Sequence, residues 1–280
     1  MKKKLCRITA LLLAAVLSLG GCGQPGAGKK RTDSTQQTEE TKNKKEDQSK
    51  SDKKGPEIDG LTYESTMDLT YATEFDVYDY KDGYKLLDVH EDRQYLVVPE
   101  GKEAPEGLSE DIVVLQQPLD DIYMAATAIM SLLDAVDAID QVKFSGLNAS
   151  GWYVEDAKKA MESGDMIYAG KYSEPDYETL VNGECDLAVE STMILHTPKV
   201  QEMIEDLDIP VFVDYSSYES HPLGRTEWIK LYGAMLNKED AADSFFEKQA
   251  QVIEKLKGFE NTEKTVAYFY VNTDLSLIHI

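Results

Sequence analysis

Residues 111–216 fix the class of fold. Four short apolar runs, "DIVVLQQP", "VKFSGL", "CDLAVEST" and "IPVFVDYS", recur there with amphipathic segments between them. Runs of this length, rich in Val, Ile and Phe, read as strands of a covered sheet. The intervening "DDIYMAATAIMSLLDAVDAI", "VEDAKKAME" and "PKVQEMIEDL" carry helical spacing, and "DYETLV" supplies a turn or two more. Thr197 and Pro198 suit the cap and first-turn positions of their helix. Strands alternating with helices predict a parallel sheet with helices on both faces, because parallel neighbours require long crossovers. The expected fold class is α/β, a Rossmann-like lobe.

The flanking segments have other periods. From 60 to 100, apolar and polar residues alternate, and "YDYKDGYKLLDV" places Asp82-Gly83 between two alternating runs, a strong hairpin signal. Strands are expected near 69–71, 75–80, 84–89 and 94–98. After the lobe come two helical segments, "RTEWIKLYGAML" and "KEDAADSFFEKQAQVIEKLKGF", the second with Asn237 as its expected cap. About twenty helical residues span roughly 30 Å, the width of a small domain. A Val/Tyr/Phe-rich run at 265–271 then reads as a strand that needs a new sheet.

The N-terminus has its own logic. Lys2, Lys3, Lys4 and Arg7 precede an apolar run too short to span a membrane, and Gly20 and Gly21 lead into Cys22. This is a secretory signal, and "LSLGGC" resembles a bacterial lipobox, in which the cysteine thiol is diacylated after cleavage before it. Acyl chains in pairs give stable anchoring. With Cys6 lost in the signal and Cys22 lipidated, Cys185 has no disulfide partner and is expected to be a small buried hydrophobe. From Gly23 to Lys54 the chain is polar and cannot offset the entropy of ordering. Residues 1–54 carry 13 Lys and Arg against 6 Asp and Glu, leaving 16 against 46 in the remainder. A folded part so acidic excludes nucleic acid as a partner.

These zones give the expected organisation: 1–21 signal peptide, 22–58 disordered tether, 59–221 α/β lobe, 222–258 connector helices and 259–274 the start of a second lobe. The tail "LSLIHI", 275–280, looks like a translated sequencing adaptor. The chain is therefore expected to be a C-terminally truncated form of a longer protein.

A lipid-anchored α/β lobe followed by a long helix resembles the substrate-binding lipoproteins of ABC importers. The likeness is to the helix-linked class that delivers iron chelates, haem and cobalamin. It is carried by "AGKYSEPDYETLVNGECDLAVEST", similar to the family stretch in which a glycine-containing loop and a helix precede "PDLVI", and by "DIPVFVDYSSYESHPLGRTEWIKLYGAML". The match covers about 61–271. It implies a periplasmic-binding-protein lobe, a monomer anchored outside the cell membrane of a bacterium, that hands a small molecule to an ABC permease and its ATPase. No cofactor is implied beyond the transported iron chelate or corrinoid. The family's docking acid maps onto Glu178, with Glu174 close by.

In open α/β sheets, ligands sit beyond the carboxyl ends of strands. With the resemblance, that rule nominates Gln117, Asn148, Trp152, Glu190, Ser191, Ser216 and Tyr218, together with Tyr71 and Phe75 from "YATEF". Tyr153 and Tyr172 lie nearby in sequence. "YESHPLGRTEW" adds Arg225, which either clamps a ligand oxyanion or pairs with Glu219 or Glu227 to fix the hinge. An enzyme is not expected: the four histidines form no HExxH motif, and no GxSxG elbow occurs. Two other readings use the same lobe, a ligand-sensing or adhesion lipoprotein without a permease and a zinc- or manganese-binding transporter lipoprotein. Cys22→Ser is expected to abolish palmitate labelling and release the protein from the membrane fraction; unchanged labelling would contradict the lipidation assignment.

Overall fold

Two five-stranded sheets share one core in the computed structural model, which describes residues 54–90, 92–256, 258–260, 264–265, 270–271 and 277–278. The expected signal, Cys22 and most of the expected tether lie outside the described residues. The described residues all belong to a compact unit beginning at Ser51.

The first sheet opens as a meander. Strands β1 (Tyr63–Thr66), β2 (Phe75–Tyr80), β3 (Lys85–Val89) and β4 (Gln94–Val98) pair antiparallel in order, and β5 (Ile112–Gln116) joins β4 in parallel. The turn joining β2 to β3 is the expected one, with Asp82 at φ 65 and Gly83 at φ 87, values that Asp tolerates and Gly adopts freely. Alternation gives this sheet two apolar faces. Phe75, Val77, Leu87, Tyr95 and Val97 enter the main core, while Tyr78, Tyr80, Leu86, Leu96 and Val98 close a second cluster with Ile58. The Tyr80 hydroxyl also donates to the Pro56 carbonyl at 2.6 Å. Pro56 and Ile58 therefore pack with the sheet, ahead of the expected lobe boundary at 59.

The second sheet is wholly parallel. Its strands are β6 (Ile122–Met124), β7 (Val142–Ser145), β8 (Ile167–Tyr168), β11 (Leu187–Ser191) and β12 (Val211–Asp214), in the order β12-β11-β6-β7-β8. A small hairpin, β9 (Gly170–Lys171) with β10 (Glu174–Pro175), interrupts the path from β8 to β11. Helices α1 (Met130–Ala135), α2 (Glu155–Ser163), α3 (Tyr177–Asn182) and α4 (Pro198–Glu205) fill the crossovers. The single helix expected over 120–139 is corrected here: the segment is β6 followed by the short α1. Ile122, Tyr123 and Met124 are all buried at the centre of the sheet, and periodicity does not separate such an all-apolar strand from a buried helix.

Helices cover both faces. On one, Phe212 and Asp214 meet α5 (Pro222–Leu236), where the Tyr232 hydroxyl donates to Asp214 at 2.8 Å. On the other, α3 ends over Phe144, so close that a Cβ on Gly183 would fall 2.4 Å from its ring. The α5 helix is apolar almost all round and correspondingly buried, and α6 (Glu239–Leu256) follows after Asn237. Asn237 sits at φ 56 and terminates α5 instead of capping α6. Further on, Tyr270–Val271 pairs antiparallel with Leu277–Ile278, so the strand expected to stand alone has a partner within the tail.

No strand forms at 69–71. Residues 70–74 are a loop whose backbone amides converge on two carboxylates. The Thr70 amide donates to both Glu227 oxygens at 2.9 and 3.1 Å, and those of Tyr71 and Ala72 to its Oε2 at 2.7 and 2.9 Å. The Thr73 amide donates to both Glu219 oxygens at 3.0 Å and that of Glu74 to Oε1 at 3.1 Å, while the Trp228 indole N–H reaches the same Oε1 at 3.0 Å. Both carboxylates are buried. Gly224 permits the approach: a Cβ there would lie 2.9 Å from Glu219 Oε2 and 3.0 Å from the Tyr71 carbonyl. Removing a buried acceptor that several part-buried donors share leaves each donor unmatched. Glu227→Ala is expected to cost about 3–5 kcal/mol in urea unfolding, and Glu227→Gln clearly less. A loss under about 1 kcal/mol for the alanine variant, the size of one ordinary hydrogen bond, would show that the clamp is dispensable.

Candidate functional site

The strand order reverses once in the parallel sheet. From β6 the chain steps outward through β7 to β8, then returns to place β11 beside β6 and steps outward again to β12. Such a reversal leaves a crevice at the carboxyl ends of the two strands that flank it, because their connections depart in opposite directions. Residues following those ends form the rim. Of the thirteen large apolar side chains exposed among the described residues, five stand at the carboxyl ends of this sheet's strands: Tyr168 ends β8, Tyr153 follows β7, Met193 and Leu195 follow β11, and Tyr218 follows β12. Tyr153 is 97% exposed and Tyr218 60%, unusual for rings with so much surface to bury. Tyr168, Met193 and Leu195 were not nominated from sequence. Their signal was hidden because β8 is only two residues long and the turn at 192–196 read as the end of a strand.

Several expected residues are built into this edge. The Trp152 ring is buried, and its indole N–H donates to the Ser145 hydroxyl at 2.9 Å. That hydroxyl in turn donates to the Leu147 carbonyl at 2.6 Å, which fixes the loop after β7. Asn148 on the same loop is exposed, and Ser191 is half-buried with its hydroxyl accepting from the Met193 amide at 3.4 Å. Ser216 donates to Asp214 at 2.6 Å, and the Tyr218 ring lies tilted over Tyr215 at 5.5 Å.

Others are placed elsewhere. Phe75 is a core residue, its ring 5.0 Å from that of Trp228. Gln117 is buried at the end of β5, in the first sheet, and donates to the Met235 carbonyl at 2.9 Å. Neither reaches the rim, since both strands lie outside the parallel sheet. Tyr71 stacks on His221 at 4.6 Å and meets Phe246 edge-on, so its ring packs against the start of α5 and against α6. Arg225 is exposed and donates to the Ser217 carbonyl at 2.7 Å. The expected pairing with Glu219 or Glu227 does not occur, because loop amides occupy those oxygens. Glu178 is exposed in the first turn of α3, and Glu174 pairs with Lys171 at 3.0 Å. Cys185 is buried as expected, which pushes its thiol up to about 12.

Glu190 is the exception within the edge. It lies one residue inside the carboxyl end of β11, on the strand bordering the reversal, and is fully buried. Neither of its oxygens has a hydrogen-bond partner among the described residues. Burial pushes its carboxyl up to about 8, and the same cause raises Asp214, there opposed by the hydrogen bonds of Ser216 and Tyr232. Among the described residues, no group of three or more His, Cys, Asp or Glu is placed to hold a metal ion.

The shift on Glu190 has a definite sign. Below the ordinary carboxylate range, folded and unfolded chains are both protonated and the residue adds no pH-dependent cost. As pH rises towards about 8, the unfolded chain releases its proton and the folded one does not, so stability falls across that window and then levels. Glu190→Gln removes this titration. Relative to the parent, the variant is expected to be about equal at pH 4 and more stable by a few kcal/mol, of the order of 1.4 per pKa unit, at pH 8. Parallel urea curves at both pH values would show no such widening if the carboxylate were satisfied when folded.

No family model matches the chain. Two curated relatives do, both uncharacterized lipoproteins of Methanocaldococcus jannaschii. One is 28% identical over 181 residues, covering 60% of this chain and 42% of the relative; the other is 24% identical over 280 residues, covering 95% and 66%. The chain thus spans between about two fifths and two thirds of the relatives' length. Among solved structures, a periplasmic heme-binding protein of Vibrio cholerae overlaps at a TM-score of 0.41 with 20% identity, covering 51% of each chain. A periplasmic heme-binding protein from Pseudomonas aeruginosa overlaps at 0.38 with 13% identity, covering 49% of this chain and 46% of that one. A possible iron-binding solute-binding protein from Staphylococcus epidermidis overlaps at 0.41 with 15% identity, covering 56% and 58%.

Proposed function

We propose that this chain is the lipid-anchored, extracytoplasmic solute-binding protein of an ABC importer, a binding protein and not an enzyme, that captures an iron chelate or a corrinoid and passes it to a permease. The observation that carries the proposal is the carboxyl edge of the parallel sheet, where a single reversal of strand order coincides with Tyr153, Tyr168, Met193, Leu195 and Tyr218 held out to solvent. Apolar walls with a few placed polar groups suit large ligands with extensive carbon surface. Asn148, Ser191 and Ser216 supply the polar groups. The cysteine of "LSLGGC" supports the anchor, as does the lipoprotein nature of both curated relatives.

Binding requires no chemistry on the solute. Affinity comes from removing apolar surface from water, at about 25 cal/mol per Å², and this edge supplies one wall. Glu178 and Glu174, exposed around the start of α3, are the proposed docking acids for cationic residues of the permease. An exposed pair of this kind acts on association rate and specificity more than on raw affinity.

The two tryptophans provide the test. Trp152 supports the rim through Ser145, whereas Trp228 lies in the core beside Phe75. Titration of the full chain with ferric siderophores, haem and cobalamin is expected to quench emission for one of these classes, with most of the change lost in Trp152→Phe. Silence towards all three would overturn the ligand assignment. Quenching that survives in Trp152→Phe would place the ligand away from this edge.

A further inference from the structure

Glu190 is a group that the fold has no evident internal use for. Its neighbours on β12 and β6 are Val213 and the Ala125 that follows Met124, and the loop continuing from β6 begins Ala125-Ala126. None of these contributes a donor side chain. Among the described residues no lysine, arginine or histidine perturbs its titration; burial alone does. The titratable groups it affects are the phenols of Tyr123 and Tyr177, both raised first by their own burial and then by its charge. The Tyr123 hydroxyl is committed to the Gly170 carbonyl at 3.0 Å. Among the described residues the fully buried carboxyl beneath the rim therefore has no cation to pair with, and a buried carboxylate is costly unless one is supplied.

Resting on the solute-binding reading above, we propose that Glu190 is the recognition group for a positively charged nitrogen on the solute, an ammonium arm attached to an apolar or chelating body. Position favours it, since Glu190 lies one residue below the mouth of the crevice at the strand reversal, followed by the half-buried hydroxyls of Ser191 and Thr192. Charge favours it too. The chain beyond residue 54 carries 46 Asp and Glu against 16 Lys and Arg, so its field concentrates cations and repels anionic chelates. On binding, the carboxyl proton passes to solvent and the ammonium N–H groups donate to the resulting carboxylate. A neutral or anionic analogue leaves the carboxyl as it was.

The exchange is read directly from Glu190. In full-length protein carrying carboxyl-labelled glutamate, its resonance is assigned by loss in Glu190→Gln, or in Glu190→Asp should the glutamine variant fail to fold. The titration midpoint is followed with millimolar butylammonium, butyramide or butyrate. Butylammonium is expected to lower the midpoint by about one unit or more, a tenfold change in proton affinity, and the other two to leave it in place. An equal response to the amide, or none to the ammonium, would overturn the inference and point to an internal water as the partner. If a chelate or corrinoid binds at the rim while Glu190 ignores the ammonium, this inference fails and the solute-binding reading stands.

Discussion

Two carboxylates hold the loop between β1 and β2 to α5. Glu219 and Glu227 accept five consecutive backbone amides, 70 to 74, from more than 140 residues away in sequence, and Glu219 also accepts the nearby Trp228 indole. Charge-assisted bonds of this type are about twice as strong as neutral ones, and here they satisfy a turn that makes no sheet. They fix the start of α5 and seat its buried Trp228 against Phe75. A second tie, Gln117 to Met235, fastens the end of α5 to β5. Helix α5 is thus pinned near both ends to the first sheet and its leading loop, and its central Tyr232 is fastened to the second sheet through Asp214.

That anchoring leaves the carboxyl edge free to differ from the rest of the molecule. Below the edge, aromatic rings are interleaved: Tyr95 packs on Phe212 at 4.9 Å and Phe212 on Tyr232 at 5.9 Å. At the edge, comparable side chains stand in water. A rigid sheet that carries exposed apolar groups on its loops is a common way to present a binding surface, because strand positions hold the geometry while loops set the chemistry. Glu190 fits the same division, being a strand residue held with precision beneath groups that vary in exposure.

Much of this was legible in local pattern. The Asp82-Gly83 hairpin, the strands β7, β11 and β12, the helices α2 to α4 and the pair α5 and α6 all follow from period and punctuation. The α/β class follows with them. What failed did so for physical reasons. The strand β6 is buried on both faces and carries no alternation, so it merged with the helix that follows; β8 is too short to show any period. Residues 69–71 were read as a strand because the true partners of the loop at 70–74, Glu219 and Glu227, are remote in sequence. For the same reason Arg225 was offered partners that were already engaged. The strand-end rule picked Asn148, Trp152, Glu190, Ser191, Ser216 and Tyr218, which lie along the carboxyl edge of the parallel sheet, but it could not tell that Gln117 ends a strand of the other sheet, or that Phe75 faces the core.

The central claim is that the carboxyl edge of the parallel sheet is a binding wall. Hydrogen exchange on the full chain, with and without whichever ferric chelate or corrinoid binds, tests it most directly. Protection confined to the segments around 125–128, 146–153, 191–196 and 215–218, with the opposite edge at 118–121 and 183–186 unchanged, is the expected result. Protection at that opposite edge, or on the first sheet alone, would contradict it.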